Sequence, residues 1–302
     1  MAIAEYPLHN LLPARARLGE GPIWDDVNQL LYWVDIYNYR VHRFDPATRE
    51  NTHFDVGDTV GAIALTHTNQ ILLAQRHWLS FLDLETREVT RITAIEEDLA
   101  PNRLNDGKCD AAGRFWFGSM SANKEAASLY CYTPSGHLKQ IETGLTISNG
   151  LGWSPDNQTF YLTDSPTGHI YAYDFDLESG QIEHQRVLIN LSEEDFSPDG
   201  LTVDQEGCLW SVMWDGWCVV RFDPDGQEMG RIQLPVQRPT CCTFGGEEMM
   251  QLFVTSASVG LSEEEIQKSF FSGDLFGLET DVVGLPSRRF GDDETAKKLT
   301  VN

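Results

Sequence analysis

The 302-residue sequence predicts an all-β fold, a six-bladed β-propeller, from three observations. A unit recurs along the chain, its strand-like segments have a period of two residues rather than 3.6, and its copies are spaced like propeller blades. Five copies open on glycine and a weaker sixth opens on cysteine, at Gly21, Gly61, Gly107, Gly150, Gly200 and Cys241. Successive openings lie 40, 46, 43, 50 and 41 residues apart, the length of one four-stranded blade.

The strands within each unit are indicated by runs of aromatic and β-branched residues. Second strands are predicted at residues 30–35, 159–164 and 208–212. Third strands are predicted at residues 40–44, 79–83, 129–132, 170–175 and 218–222. Several of these end in a turn rich in Asp, Pro or Gly, such as Asp225-Gly226, so each unit is typical of a small antiparallel sheet.

The last unit contains only three predicted strands, at residues 241–244, 252–257 and 273–279. We expect the N-terminal segment, residues 6–17, to add the missing outer strand and so to close the last blade and the ring. No linker divides the chain, which predicts a single propeller domain over residues 1–286. The charged stretch 287–302 is predicted to be a C-terminal tail outside the propeller.

The composition limits the expected binding partners and the expected cellular location. With 46 acidic and 22 basic residues the formal net charge is -24, so nucleic acid and anionic membrane surfaces are not expected partners. The N-terminus carries no secretory signal pattern, and no apolar run reaches the ~18 residues of a membrane-spanning helix. Six cysteines without a C-x-x-C pair predict free thiols in a reducing compartment, so we expect a cytoplasmic protein.

The residues that precede the repeat glycines are the candidate functional residues. They are Glu20, Val60, Asp106, Asn149 and Asp199, and all except the valine carry a side-chain oxygen. Because the innermost strand of every blade lines the propeller axis, these side chains are expected to converge at one mouth of the central channel. The alternative is that these pairs only form local hairpin turns, in which Asp-Gly and Asn-Gly are favoured. This alternative does not account for Glu20.

Carboxylate and amide oxygens without His or Cys form a hard donor set. Such ligands suit Ca²⁺, Mg²⁺ or Mn²⁺ better than a structural zinc site. The eight histidines form no metal-binding motif, and no G-x-S-x-G or Cys–His signature indicates a covalent nucleophile. One divalent metal ion is therefore the expected cofactor, with Ca²⁺ favoured and Zn²⁺, Mn²⁺, Mg²⁺ or Fe²⁺ as alternatives.

Five segments in order resemble the senescence-marker-protein/gluconolactonase family, at residues 18–24, 103–114, 146–154, 198–200 and 241–246. The resemblance runs over residues 18–280, nearly the whole chain. It implies a six-bladed propeller whose metal ion is held by Glu20, Asn149 and Asp199. It also implies substrate contacts from Arg103 and Asn105, with Asp199 as the general acid/base. Some members carry an acidic substrate-contacting residue where this chain has Asn123, and the roles of Asn123 and Asp106 stay open.

The function that the resemblance implies is hydrolysis of a sugar lactone, gluconolactone or a related aldonolactone, to the aldonic acid. The metal ion would polarise the ring carbonyl, while Asp199 takes a proton from the attacking water and returns it to the leaving ring oxygen. Two alternatives are a hydrolase of another lactone, ester or phosphotriester on the same scaffold, and a non-catalytic calcium-binding propeller.

Overall fold

The computed structural model describes residues 6–291, and this part of the chain forms six antiparallel sheets of four strands each. The sheets are the six blades of a propeller, as the repeat predicts. The innermost strand of each blade contacts the innermost strands of its two neighbours, so these six strands surround the axis. Two short 3₁₀ helices, η1 (Ile36–Asn38) and η2 (Ser165–Thr167), follow the second strands of blades 1 and 4.

Blades 1 to 5 each consist of four consecutive strands, ordered from the axis outward. Blade 1 contains β2 (Gly19–Asp25), β3 (Leu30–Asp35), β4 (Arg40–Phe44) and β5 (Asn51–Asp55). Blade 2 contains β6 (Val60–Leu65), β7 (Gln70–Gln75), β8 (Trp78–Asp83) and β9 (Val89–Ala94). Blade 3 contains β10 (Arg103–Cys109), β11 (Phe115–Met120), β12 (Ala127–Tyr132) and β13 (Leu138–Leu145). Blade 4 contains β14 (Ser148–Trp153), β15 (Thr159–Asp164), β16 (His169–Asp176) and β17 (Gln181–Asn190). Blade 5 contains β18 (Ser197–Val203), β19 (Leu209–Trp214), β20 (Cys218–Phe222) and β21 (Glu228–Gln233).

Blade 6 joins the two ends of the described chain. It contains β22 (Pro239–Gly245), β23 (Gln251–Ser256), β24 (Leu275–Glu279) and, outermost, β1 (His9–Leu12). Strand β1 pairs antiparallel with β24, and His9 lies opposite Gly277. The predicted closure of the last blade by the N-terminal segment is therefore confirmed. The helix α1 (Glu263–Lys268) lies in the connection between β23 and β24 and is capped by Ser262.

Large apolar side chains of the second strands fill the layers between neighbouring blades. Trp33, Trp116 and Trp210 are fully buried in the second strands of blades 1, 3 and 5. The indole N–H of Trp116 donates to Asp110 at 2.8 Å, and that of Trp210 donates to Asp204 at 2.8 Å. The indole N–H of Trp33, by contrast, is buried without a hydrogen-bond partner, so dense apolar packing is the feature that the three layers share.

A register irregularity lies near the start of every innermost strand, and the residue before the repeat glycine lies within it or at its edge. The pairing shifts between Glu20 and Ile23, for example, and between Asn149 and Leu151. The same shift occurs in the other four blades. A β-bulge bends its strand and redirects a side chain, so the repeated bulge turns one residue per blade out of the regular alternation.

Three of the repeat glycines, Gly61, Gly150 and Gly200, are required because adjacent innermost strands approach closely. A Cβ atom on Gly61 would lie 2.6 Å from the backbone oxygen of Asn105, and one on Gly150 would collide with the backbone oxygen of Asp199. These glycines lie inside strands, so the alternative that their dipeptides form hairpin turns is wrong. Asp225-Gly226, by contrast, does lie in a turn, where Gly226 has a φ of 82°.

The first residues of the predicted C-terminal tail lie against the propeller. Phe290 is buried and its ring stacks on Tyr132 at a centroid distance of 5.7 Å. The guanidinium of Arg289 donates to Asp25 at 2.5 Å. Residues 287–291 therefore pack on the blades, and the rest of the predicted tail, 292–302, is outside the described residues. Within the described range, no helix is both long and apolar enough to cross a membrane.

Candidate metal centre and active site

Four polar side chains from four different blades lie in the bulges around one mouth of the axis. Glu20, Asp106, Asn149 and Asp199 come from blades 1, 3, 4 and 5, and each is between 4% and 7% exposed. The corresponding residues of the other two blades offer no free oxygen to this cluster. Val60 is apolar, and the hydroxyl of Thr240 donates to the backbone oxygen of Gly19 at 2.5 Å.

The three buried carboxylates act on one another electrostatically. Burial, together with the negative charges of Asp199 and Asp106, raises the pKa of Glu20 well above its usual value. Burial and the charge of Asp106 likewise raise the pKa of Asp199, although Arg103 and a hydrogen bond to Asn149 oppose this. Like charges held together in a dry site favour protonation unless a cation stabilises the ionised forms.

Asp106 differs from the other two carboxylates in its partners. Burial raises its pKa, but the ammonium group of Lys108 and the backbone N–H of Gly107 lower it. The Gly107 N–H donates to Asp106 Oδ1 at 2.7 Å. Glu20 accepts an equivalent bond from the Gly21 N–H at 2.7 Å, so what distinguishes Asp106 is that Lys108, rather than Arg103, is the cation that lowers its pKa.

A chain of hydrogen bonds links the predicted substrate-binding residues to a predicted metal ligand. Arg103 Nη1 donates to Asn105 Oδ1 at 2.6 Å. Asn105 Nδ2 donates to the Ser148 carbonyl at 2.9 Å and to Asn149 Oδ1 at 3.3 Å. Asn149 Nδ2 in turn donates to Ser165 Oγ at 3.0 Å. The Asn149 side chain is therefore held at both ends, with its oxygen accepting from Asn105 and its nitrogen donating to Ser165.

The donor set fits a divalent cation. Asp199 Oδ1 is buried and has no hydrogen-bond partner, an arrangement that costs free energy unless a cation or a water molecule supplies the contact. Two carboxylates and an amide oxygen are donors that hard divalent ions accept. Glu20, Asn149 and Asp199 are therefore the residues that could hold the ion.

Aspartates at the ends of the second strands fix the backbone that leads into the site. The carboxylate of Asp35 accepts the backbone N–H groups of Arg17 and Leu18, each at 3.2 Å. In blade 4, Asp164 accepts those of Thr146 and Ile147, the latter at 2.9 Å. Each aspartate therefore fixes the segment just before a candidate ligand, Glu20 or Asn149.

Two site residues were not identified from the sequence, namely Tyr37 and Ser165. The guanidinium of Arg103, a predicted substrate-binding residue, lies over the Tyr37 ring at 5.6 Å. Tyr37 and Ser165 both lie in a 3₁₀ helix directly after a strand-ending aspartate. This shared Asp-plus-short-turn pattern is the signal that could have identified them. Asn123, by contrast, is exposed in the loop between β11 and β12.

A second acidic group, Asp204, Glu206 and Cys208, has ligand atoms within 4.8 Å of one another but is structural. Asp204 Oδ2 accepts from Arg221 Nη2 at 2.7 Å and from Trp210 Nε1 at 2.8 Å. Asp204 Oδ1 accepts two backbone N–H groups. Because Arg221 already supplies the positive charge, this group does not fit a metal ion.

Fold and site together define a six-bladed propeller with buried oxygen donors on its innermost strands. The family model described as SMP-30/Gluconolactonase/LRE-like region matches residues 18–258, and the chain belongs to this family. Regucalcin from Gallus gallus is 35% identical over 285 residues, which covers 91% of this chain and 95% of the relative. Pentonolactonase XacC from Haloferax volcanii is 33% identical over 281 residues, which covers 90% of this chain and 94% of the relative.

Solved structures agree with this relationship. The crystal structure of a calcium-binding protein, regucalcin, from Agrobacterium tumefaciens superposes with a TM-score of 0.90 at 27% identity. The alignment covers 96% of this chain and 98% of that chain. The likeness therefore extends over the whole propeller.

Proposed function

We propose that this protein is a metal-dependent lactone hydrolase that opens a sugar lactone, gluconolactone or a related aldonolactone, to the aldonic acid. The observation that carries the proposal is the buried cluster of Glu20, Asn149 and Asp199, joined by hydrogen bonds to Arg103 and Asn105. Relatives named as lactonases, such as the pentonolactonase of Haloferax volcanii, support the reaction class. The bound ion is proposed to be Ca²⁺, with Zn²⁺, Mn²⁺, Mg²⁺ and Fe²⁺ to be compared.

In the proposed reaction, Glu20, Asn149 and Asp199 hold the ion by their side-chain oxygens. The ion supplies Lewis-acid stabilisation of the negative charge that develops on the lactone carbonyl oxygen. Arg103 and Asn105 bind the sugar through its hydroxyl and carbonyl oxygens, and their mutual hydrogen bond of 2.6 Å fixes their relative position.

Asp199 is proposed to be the general acid/base. Its buried, unpartnered Oδ1 is free to accept a proton from the attacking water. The water oxygen bonds to the carbonyl carbon, the carbon–oxygen bond of the ring breaks, and Asp199 returns the proton to the departing ring oxygen. The products are one carboxyl group and one hydroxyl group, so only water is consumed.

The experiment removes metal with a chelator, restores single ions, and measures acid release from a panel of lactones. Metal-dependent acid release from aldonolactones is the expected result. Turnover only of other esters or of phosphotriesters selects the alternative hydrolase, and ion binding without turnover selects a non-catalytic calcium-binding propeller.

Two variants of one residue separate proton transfer from metal binding. Asp199→Asn keeps an oxygen donor but cannot accept the proton, so we expect ion binding with turnover reduced by at least about 10²-fold. Asp199→Ala is expected to lose both. Asp225→Asn is the matched control because Asp225 also precedes a glycine but lies in an exposed turn. Wild-type turnover by Asp199→Ala with metal present would contradict the assignment.

The proposal includes a reducing compartment, the cytoplasm. All six cysteines are unpaired and buried, which supports this location. Burial raises the pKa of the Cys241 thiol well above its usual value and that of Cys242 to about 12, so these neighbouring thiols are held in the unreactive protonated form.

A further inference from the structure

A series of side-chain contacts leads from the candidate metal ligand Asn149 to the protein surface. Asn149 Oδ1 accepts a hydrogen bond from Asn105, and Asn105 Oδ1 accepts one from Arg103 at 2.6 Å. The Arg103 guanidinium lies over the Tyr37 ring, with its Cζ atom 5.6 Å from the ring centroid. The guanidinium of Arg17 lies over the same ring, also at 5.6 Å. Arg17 is exposed, so Tyr37 connects the candidate substrate-binding residue Arg103 to an arginine at the surface.

The backbone of Arg17 is held by two blades. Its N–H donates to the carboxylate of Asp35, at the end of strand β3 in blade 1, at 3.2 Å. Its carbonyl oxygen accepts the N–H groups of Ser258 at 3.2 Å and Val259 at 2.9 Å, both in the connection after strand β23 of blade 6. Because the backbone is fixed on both sides and the guanidinium stacks on Tyr37, the side chain loses little conformational freedom when it binds a ligand.

The positive charge of Arg17 has no negative partner within residues 6–291. In this range no carboxylate oxygen lies within 4.0 Å of its guanidinium, and no acceptor forms a hydrogen bond with it. The carboxylate of Asp35 accepts the Arg17 backbone N–H and the Asn38 side chain instead. Arg238, by contrast, forms an ion pair with Asp215 at 2.7 Å. A chain with 46 acidic and 22 basic residues offers many carboxylates, so an arginine that only supports the fold is expected to pair with one.

The two guanidinium groups on the Tyr37 ring also act on each other. Arg17 and Arg103 both carry a full positive charge, and their Cζ atoms are no more than twice 5.6 Å apart. Like charges at such a distance repel. An anionic group bound beside them relieves this repulsion and receives charge-assisted hydrogen bonds. The ring therefore holds two cations in place for an anion that the protein itself does not supply.

We propose that Arg17 binds an anionic substituent of the substrate, so that the preferred sugar lactone carries a carboxylate or a phosphate group. Arg103 and Asn105 bind the lactone oxygens, and Arg17 binds the charged group at the outer end of the same molecule. Tyr37 is a positioning residue that holds the two arginines at a fixed separation. The inference rests on the proposed function, because Arg103 places the substrate.

The test compares three lactones that differ in one group of the sugar: neutral gluconolactone, 6-phosphogluconolactone, and glucarolactone with its carboxylate. We expect wild type to hydrolyse one of the two anionic lactones with the highest kcat/KM, and that lactone identifies the anionic group. Arg17→Gln is expected to lower its kcat/KM at least about tenfold, mainly through KM, and to leave gluconolactone within about threefold. Arg17→Lys keeps the charge but not the planar fork, so a smaller loss is expected.

Two controls separate recognition of the anion from a structural role. Arg15→Gln is the matched control, because Arg15 is also exposed but donates to the Phe270 carbonyl and lies over the Phe270 ring. It is expected to leave all three lactones unchanged. Added NaCl is expected to raise the KM of wild type for the anionic lactone and not that of Arg17→Gln, since salt screens an exposed charge.

The outcomes distinguish the inference from the proposed function. If wild type hydrolyses none of the three lactones, the proposed function fails. If wild type hydrolyses gluconolactone at least as well as both anionic lactones, the inference about Arg17 is overturned while the hydrolase stands. An equal loss for all three lactones in Arg17→Gln also overturns it. Should Arg17→Gln fail to fold, the salt dependence of wild type decides, and a KM for the anionic lactones that does not change with salt overturns the inference.

Discussion

The substitution Gly61→Ala tests whether the close approach of neighbouring blades sets the position of the site. A Cβ atom on Gly61 would lie 2.6 Å from the backbone oxygens of both Leu104 and Asn105. Ordinary contact begins at 3.4 Å, so the backbone that carries Asn105 must retreat by about 0.8 Å. The obstructing atoms belong to a strand and not to a flexible side chain, so the shift is transmitted to the site.

The expected losses of activity and stability follow from this displacement. A misplacement of about 1 Å in a catalytic constellation can reduce the rate by ~10²-fold, so we expect kcat/KM to fall by roughly 10- to 100-fold. Overpacking of a well-packed core typically costs about 1–3 kcal/mol, which should appear in the free energy of unfolding. The assay combines acid release from a lactone with urea denaturation monitored by tryptophan fluorescence.

Gly152→Ala is the matched control. Its Cβ would contact only the side-chain ends of Leu201 and Val203, at 3.1 and 3.2 Å, and these atoms can move. We expect less than about a threefold change in kcat/KM, because the backbone near the site is not displaced. If Gly61→Ala retains wild-type kcat/KM, or if both variants lose activity equally, the reasoning from blade contact to site geometry is refuted.

Two further substitutions test separate features. One removes the hydrogen bond that holds Asn149, and the other replaces the buried side chain of His42. Ser165→Ala is expected to weaken Ca²⁺ binding about 3- to 30-fold, because the Asn149 amide loses its hydrogen-bond acceptor. The control Ser165→Thr retains the acceptor hydroxyl. If calorimetry gives Ser165→Ala the Ca²⁺ affinity of wild type, the prediction is wrong. Burial lowers the pKa of His42 from 6.5 to about 3. Since only the unfolded state then binds a proton between these values, stability is lost as the pH falls below 6.5. His42→Phe keeps a ring stacked on Trp33 but has no proton to bind. In urea denaturation, the pH dependence of its free energy of unfolding should be smaller than that of wild type by up to about 1.4 kcal/mol per pH unit. An unchanged pH dependence would refute the assigned role of His42.

The sequence could reveal the blades because their pattern is local. Strand β3 at Leu30–Asp35 and strand β15 at Thr159–Asp164 begin and end where the aromatic runs predict. The missing strand of the last blade followed from counting, because the last unit contained only three of the four strands of a blade. Strand β1 at His9–Leu12 fills that place.

The repeat pattern predicts only some residues of the candidate site. Glu20, Asp106, Asn149 and Asp199 could be selected because each precedes a repeat opening, and all four are buried on innermost strands, while their roles stay predictions. Ser165 could not be selected, because its role depends on a contact with Asn149 that no repeat pattern encodes.

The sequence by itself determined the number of blades, the closure of the ring and the chemistry of the axial donors. These properties depend on short-range periodicity and on residue type, which are written along the chain. Only the tertiary structure decided that the Asp-Gly and Asn-Gly pairs of the innermost strands form bulges, that Lys108 crosses to Leu201, and that Phe290 is buried. The physical reason is that these features arise where distant segments pack together, so each depends on the shape of a neighbouring blade.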